Sequence, residues 1–249
     1  MFFLIGIDDT DNPSGIGTED TGALAIRLGQ LIQERRFGYP LACTRHQLLR
    51  QDPHAPAADN CAVCLLVDAD SDARRDIELT CREFILRHSA PSSDPGFALA
   101  AWNNLTSAID TWGQQAKHMR LQRSYAVELA RSHGISVAGF HGYGSGVIGA
   151  LAAVGLRSSG NDGHFIWLPG LEGVKGTLTL PALLNMCAID RVENFRGRTP
   201  LERDLINLGE TPTVLLRNNQ SLLLLDACGR DDACQWRVYS PEELAQVSP

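Results

Sequence analysis

Apolar and polar positions recur along the chain with two periods, and the changes of period predict the secondary structure. Residues 2–7 form a continuous apolar run that ends abruptly at Asp8, which is typical of a strand buried on both faces. In the next segment apolar residues recur at helical spacing, at Leu24, Leu28, Leu31 and Ile32. The chain therefore opens with a strand, an acidic loop and a helix that starts near Thr18.

The same criteria predict a mixed succession of strands and helices over the rest of the chain. Strands are predicted at 41–49, 61–67, 135–140 and 164–168, and helices at 72–88, 105–133 and 147–156. Asn218-Asn219 separates two apolar runs and predicts a hairpin, and Ser240 with Glu243 forms a capping box. The fold class is therefore α/β (α+β), the class in which strands and helices mix in this way.

Two domains are expected from this order, because 249 residues suffice for two small units. The boundary is placed in the long helical region, which gives domains 1–125 and 126–249. In the second domain the order of strand, helix, strand, helix and hairpin suggests a ferredoxin-like sandwich.

The composition and net charge of the chain limit the classes of function that it can have. An apolar content of 44% and a charged content of 20% are ordinary for a globular protein. The net charge of −7 argues against broad non-specific binding to nucleic acid, which requires a basic surface. The only lysines are Lys117 and Lys175, so any mechanism that needs a lysine has two candidates.

The seven cysteines indicate the cellular compartment in which the protein is expected. An odd number of cysteines without a secretory leader is typical of a reducing environment, so a cytoplasmic location is expected. No apolar run reaches the length of a membrane span. Cys61 and Cys64 lie within one predicted strand and have no second pair at zinc spacing, which favours core packing over metal binding.

The acidic loop carries the strongest indication of chemistry. Asp8, Asp9 and Asp11 lie within four residues at a strand end, where their mutual repulsion is relieved by a cation such as Mg²⁺. We expect Thr10, Gly15 and Gly17 to contact the phosphates of a nucleotide that carries this Mg²⁺. The alternative is an acidic surface turn without a ligand.

Two other families share parts of this pattern. An EF-hand loop from Asp8 would place Pro13 where a glycine is needed, and a strand precedes the loop instead of a helix. A haloacid-dehalogenase-type phosphatase would match Asp9 and Asp11 but needs a downstream lysine and a second acidic pair. Neither lysine of this chain stands in such a context.

Thr18 has two candidate roles. As the N-cap of the helix, its hydroxyl would accept a hydrogen bond from a backbone N–H. As a nucleophile beside a metal, it would accept a phosphoryl group. The residues alone favour the cap.

Further residues suit phosphate contacts. Arg45 and Arg50 lie at the far end of a predicted strand, and arginine binds phosphate through two parallel hydrogen bonds. Asn60 either positions a phosphate or terminates the loop. Gly144, Ser145 and Gly146 precede a helix and suggest a backbone anion nest, with close packing of helix on strand as the alternative.

Four segments, taken in order, resemble the archaeal tRNA-isoleucine agmatinylcytidine synthetases. They are IGIDDTDNPSGIGTEDTGALA, TRHQLLRQDPHAPAADNCAV, GSGVIGALAAVGL and TPTVLLRNN. The resemblance implies a kinase-like domain followed by a ferredoxin-like domain. It also implies that the first domain uses ATP and Mg²⁺ at the acidic loop, and that a threonine at Thr18 is autophosphorylated.

Two departures from this family set the expected substrate. Ala57-Ala58-Asp59 replaces a basic segment, and residues 1–249 show neither the OB-fold nor the zinc ribbon that hold tRNA in that family. We therefore expect an ATP- and Mg-dependent phosphotransferase or ligase-like enzyme that acts on a small or nucleotide-like acceptor, with Asp8, Asp9, Asp11 and Thr18 as its catalytic residues. Intact tRNA would need a partner chain. The alternative is a non-catalytic nucleotide-binding or assembly module, and the sequence leaves a homo-oligomer open.

Overall fold

The computed structural model describes residues 1–11, 19–49, 60–229 and 233–247. The chain divides into two compact units, Met1–Ser159 and Gly160–Pro249. Both units contain strands as well as helices, so the predicted α+β class is confirmed.

The first unit contains five strands and five α-helices in its described part. They are β1 (Phe2–Asp8), α1 (Thr21–Glu34), β2 (Tyr39–Gln47), β3 (Cys61–Asp68), α2 (Arg74–His88), β4 (Gly96–Ala101), α3 (Ser107–His118), α4 (Arg123–Ser132), β5 (Ser136–Gly139) and α5 (Gly146–Ser158). Within this unit the strand order is β5-β4-β1-β3-β2, and every pair is antiparallel. The strand, acidic residues and helix predicted for the N-terminus are therefore present as β1, Asp8–Asp11 and α1.

The β-α-β-β-α-β order of a ferredoxin-like motif lies in residues 2–101, where β1, α1, β2, β3, α2 and β4 follow one another. The sequence had predicted a ferredoxin-like domain in residues 126–249 instead. The predicted boundary at residue 125 also falls inside α4, and residues 126–159 belong to the first compact unit. The second difference arises because α5 packs on the sheet of the first unit, against β1 and β4.

The packing of α5 follows from its small residues. Alternate residues of β1 point to opposite faces of the sheet, and Gly6 points towards α5. A β-carbon on Gly6 would lie 1.9 Å from the carbonyl oxygen of Ala150, so helix and strand approach closely enough to exclude any side chain there. On the opposite face Gly29 of α1 lies against Leu65 and Pro40. The first unit therefore has helices on both faces of its sheet.

In its described residues the second unit contains seven strands and two short α-helices. They are β6 (His164–Trp167), β7 (Thr177–Thr179), α6 (Leu180–Met186), β8 (Arg191–Asn194), β9 (Leu205–Asn207), β10 (Val214–Arg217), β11 (Gln220–Ala227), β12 (Trp236–Val238) and α7 (Pro241–Val247). Strands β6, β10, β11, β12, β9 and β7 are neighbours in that order, and β8 pairs with β11 in parallel.

Two local predictions in the second unit are confirmed. Asn218 and Asn219 have φ angles of 53° and 60° and join β10 to β11, as a two-residue hairpin requires. The Ser240 N–H donates to the Glu243 carboxylate at 2.8 Å, and the Glu243 N–H donates to Ser240 Oγ at 3.2 Å, which forms the capping box. In the part of the chain that the structure describes, no helix combines the length and apolarity needed to span a membrane.

Candidate functional site

A cavity of about 800 Å³ lies within the first unit, at the end of β1 that carries the acidic residues. Its polar lining comes from acidic and basic side chains together with residues of the loops, namely Asp8, Asp9, Asp11, Asp20, Thr21, Arg45, Asn60, Arg120 and Ser145. Its apolar lining includes Leu48, Leu49, Val63, Met119, Leu121 and Ile148. The lining of the cavity therefore combines charged and apolar residues, as expected of a small-molecule site.

The structure brings many, but not all, of the predicted site residues to this cavity. Those that line it are Asp8, Asp9, Asp11, Arg45, Asn60, Ser145 and Gly146. Thr10 and Gly144 do not line it. Gly15, Gly17, Thr18 and Arg50 lie outside the described residues.

Asp8 ends β1 and faces α5. A β-carbon on Gly149 would lie 2.0 Å from Asp8 Oδ2, so the carboxylate occupies the space that this glycine leaves free. Burial raises the pKa of Asp8 well above its ordinary value, and the negative charges of Asp9, Asp11 and Asp94 raise it further. The strand end is therefore a place where negative charge is poorly compensated.

Asp9 adopts a left-handed backbone conformation with a φ of 53°, which turns the chain away from β1. Burial is the main cause that raises the pKa of Asp9, and the charges of Asp94 and Asp11 also contribute. The backbone of Asp94 acts in the opposite direction and partly offsets this rise in the pKa. Asp94 is thus a fourth carboxylate near the predicted three, and it was missed because it is distant in sequence.

Thr10 has a structural role in the described residues. It is 1% exposed, and its hydroxyl donates to Thr21 Oγ1 at 3.0 Å. The Thr21 hydroxyl lies 3.3 Å from Asp11 Oδ1, which fixes Asp11 to the start of α1. Thr21 was not predicted as a site residue. Its position directly after Asp20, at the start of the helix, could have indicated this role.

The N-cap of α1 differs from the prediction. The helix begins at Thr21, and Asp20 is the N-cap, because its carboxylate accepts a hydrogen bond from Ala23 N at 2.7 Å. The cap that was favoured for Thr18 is therefore supplied by Asp20. Although partial burial acts to raise the pKa of Asp20, the hydrogen bonds from Ala23 and Arg45 lower it below the ordinary value.

Arg45 and Asn60 are both engaged by protein groups. Arg45 Nη2 lies 3.0 Å from Asp20 Oδ2, which holds the guanidinium at the edge of the cavity. Asn60 has a φ of 57°, and its amide donates to the carbonyl of Leu49 at 2.6 Å. Asn60 therefore closes the connection between β2 and β3, as the structural alternative predicted, and also borders the cavity.

The predicted anion nest is filled by a carboxylate of the protein itself. Asp94 accepts hydrogen bonds from the N–H groups of Tyr143 at 3.2 Å, Gly144 at 2.6 Å and Ser145 at 2.9 Å, and from the Ser145 hydroxyl at 2.5 Å. Partial burial acts to raise the pKa of Asp94, but these hydrogen bonds lower it below its ordinary value. The donors proposed for a phosphate thus have a partner within the chain.

The donor chemistry of the cavity suits a hard divalent cation. Asp8, Asp9 and Asp11 offer the carboxylate oxygens that Mg²⁺ prefers, and none of the three forms an ion pair with a described basic residue. Within residues 1–11, 19–49, 60–229 and 233–247, no group of three or more His, Cys, Asp or Glu side chains is arranged to hold a metal ion. The prediction of Mg²⁺ at Asp8, Asp9 and Asp11 thus rests on donor type and uncompensated charge.

Comparison with known proteins places this site in context. No family model matches the chain. Over 160 residues the chain is 27% identical to the tRNA 2-agmatinylcytidine synthetase TiaS of Pyrococcus horikoshii. This match covers 62% of this chain and 36% of that protein. Over 156 residues it is 30% identical to the TiaS of Thermococcus sibiricus. That match covers 61% of this chain and 34% of the relative. The chain thus spans about a third of the length of these curated relatives.

Solved structures give the same result. The crystal structure of apo TiaS, a tRNA agmatidine synthetase, matches with a TM-score of 0.51 and 28% identity, over 62% of this chain and 35% of that one. The complex of TiaS with an isoleucine tRNA and ATP matches with a TM-score of 0.51 and 28% identity, over 62% of this chain and 36% of the TiaS chain. The predicted resemblance to part of the tRNA agmatinylcytidine synthetases is thereby confirmed.

Proposed function

We propose that the first unit binds ATP as its Mg²⁺ complex in the cavity and transfers or hydrolyses a phosphoryl group. The observation that carries this proposal is the convergence of Asp8, Asp9 and Asp11 with Arg45 around one cavity that also has an apolar side. The acceptor is a small or nucleotide-like molecule, and intact tRNA would require a partner chain.

The charge distribution of the cavity supports a nucleotide–metal complex. A bound Mg²⁺ would neutralise charge on the phosphates, and Asp8, Asp9 and Asp11 are the residues that would hold it. Arg45, which Asp20 orients at 3.0 Å, and Arg120 supply positive charge at the same cavity. The apolar side chains Leu48, Met119 and Leu121 suit the less polar part of a nucleotide.

The similarity to TiaS supports ATP as the nucleotide. Structures of TiaS have been solved as complexes with an isoleucine tRNA and ATP, and with the same tRNA, AMPCPP and agmatine. Because this chain spans about a third of those proteins, we extend only the use of ATP to it. Thr18 is proposed as the phosphoacceptor on the strength of the sequence resemblance.

Labelling with ATP tests the proposal. The purified protein is incubated with γ-labelled ATP and Mg²⁺, and the label on the protein and in free phosphate is measured. Transfer to Thr18 or release of phosphate that is lost in Asp8→Asn supports the enzyme, and Thr18→Ala tests the acceptor. If wild-type protein neither binds nor turns over ATP, the proposed function is wrong.

The second candidate is a non-catalytic nucleotide-binding or assembly module. The filled nest at Tyr143–Ser145 favours the absence of catalysis, because N–H groups that donate to Asp94 do not stabilise the charge of a phosphoryl group in transfer. Binding of ATP without label or turnover would select this function. Retention of bulk tRNA on a filter at moderate salt would instead indicate a tRNA substrate.

A further inference from the structure

Asp94 lies between the two parts of the proposed site. It stands two residues before Gly96, which pairs with Asp8 in the sheet, and its carboxylate accepts hydrogen bonds from the turn that starts α5. Its carbonyl oxygen also accepts from Gly146 N at 3.1 Å. One residue thus connects the acidic end of β1 to the first turn of α5.

Helix α5 begins so close to Asp94 and Gly96 that no side chain fits between them. A β-carbon on Gly146 would lie 2.4 Å from the Asp94 carbonyl oxygen, and one on Gly96 would lie 1.8 Å from the carbonyl carbon of Gly146. Side chains are therefore excluded between the start of β4 and the start of α5. One turn further along the helix, Gly149 lies against the carboxylate of Asp8.

These contacts make the placement of Asp8 depend on Asp94. Asp94 fixes the turn that starts α5, and α5 places Gly149 against the carboxylate of Asp8. Because the carboxylate of Asp94 is already satisfied by four donors, it is poorly suited to be a ligand of the substrate itself.

We infer that Asp94 is the positioning residue of the nucleotide–metal site, fixing the position of the Asp8 carboxylate through α5 without contacting the nucleotide. This inference rests on the proposed function. It assigns a role to a residue that lies about 80 positions from the acidic loop in the sequence.

The test compares Asp94→Asn and Asp94→Glu with wild type. The first substitution keeps the size and removes the charge, whereas the second keeps the charge and changes the reach. Binding of a non-hydrolysable ATP analogue is measured in EDTA and in Mg²⁺, together with the melting temperature. Both variants are expected to bind the analogue in EDTA within about threefold of wild type but to lose about tenfold or more of the gain in affinity that Mg²⁺ provides.

Asp76→Asn is the control for a lost charge, because Asp76 is exposed in the first turn of α2. If Asp94→Glu keeps the full gain from Mg²⁺, the charge of Asp94 matters and its position does not, and the inference is wrong. It is equally wrong if both variants lower only the melting temperature.

Amide hydrogen exchange separates this inference from the proposed function. In Asp94→Asn, peptides covering residues 5–11 and 141–150 are both expected to exchange at least about tenfold faster than in wild type, while those of α2 are unchanged. Faster exchange in 141–150 alone would overturn the inference. A wild-type protein that shows no binding of the analogue would overturn the proposed function, and the exchange result would still decide the role of Asp94.

Discussion

The carboxylate of Asp8 occupies the space left by the missing side chain of Gly149. A β-carbon there would lie 2.0 Å from Oδ2, 2.5 Å from Cγ and 2.9 Å from a methyl carbon of Leu48. Contacts this short do not occur between real atoms, so any side chain at position 149 has to displace Asp8 or the helix. The glycine is thus a requirement of the site, which makes the pair a direct way to test it.

Gly149→Ala is expected to lower the affinity for Mg²⁺-ATP by about tenfold or more, because the added methyl displaces the Asp8 carboxylate. Alanine is a better helix former than glycine by about 1 kcal/mol, so α5 itself is not weakened by its propensity. Isothermal titration with a non-hydrolysable analogue measures the affinity. Gly173→Ala is the control, since no atom lies within 4 Å of a β-carbon there; equal affinities in the two variants would contradict the prediction.

Asp8→Asn is expected to raise the stability of the metal-free protein at neutral pH. Burial and the charge of Asp9 raise the pKa of Asp8, so the folded state binds this proton more tightly than the unfolded state. The free energy of unfolding therefore falls as the pH rises above the ordinary pKa of an aspartate, and this loss is absent in the variant.

Thermal melts in EDTA from about pH 4 to about pH 8 measure the effect. The melting temperature of Asp8→Asn should exceed that of wild type at the alkaline end, and the difference should shrink as the pH falls towards the acidic end. Asp76→Asn, an exposed substitution, should follow wild type throughout. A difference that is constant with pH would show that Asp8 does not titrate in this way.

The sequence predicted the parts of the site that are local in the chain. A continuous apolar run before Asp8 defined β1, and the acidic residues after it do line the cavity. Asn218-Asn219 and Ser240 to Glu243 were also predicted, because hairpin turns and capping boxes depend on neighbouring residues.

The parts that depend on tertiary contacts were missed. Asp94 lies in a loop with no motif of its own, and only the fold brings its carboxylate to Tyr143, Gly144 and Ser145. Asp20 and Thr18 are both good N-cap residues, so the sequence could not decide where α1 begins. The Gly-rich turn before α5 left close packing of helix on strand as an alternative, but it did not indicate which strand.

The Asp20 cap gives a prediction about stability. Asp20→Ala is expected to lower the free energy of unfolding by about 1 kcal/mol, because it removes the acceptor for Ala23 N–H. Asp20→Asn keeps an acceptor and is expected to lose less, since the exposed ion pair with Arg45 contributes only about 0–1 kcal/mol. Urea unfolding at neutral pH compares the two variants. Equal losses would show that the ion pair, and not the cap, is the main contribution.

Arg157 is a buried cation without a compensating acid in the described part of the chain. It is 5% exposed in α5, and its Nε and Nη1 have no hydrogen-bond partner among the described residues. Burial lowers the pKa of its guanidinium, whose carbon lies 6.0 Å from the centre of the Trp102 ring. The aromatic ring and the C-terminal end of the helix favour a positive charge, but each contributes only about 1 kcal/mol.

Arg157→Met is therefore expected to raise the free energy of unfolding by about 1 kcal/mol or more, because the methionine fills similar space without a buried charge. Arg157→Lys keeps the buried charge and its N–H donors on a narrower side chain, and it is expected to bring no such gain. Urea unfolding curves of both variants and wild type give the comparison. A loss of stability in Arg157→Met that is as large as that in Arg157→Lys would show that the guanidinium itself, through Trp102 or the helix end, stabilises the first unit.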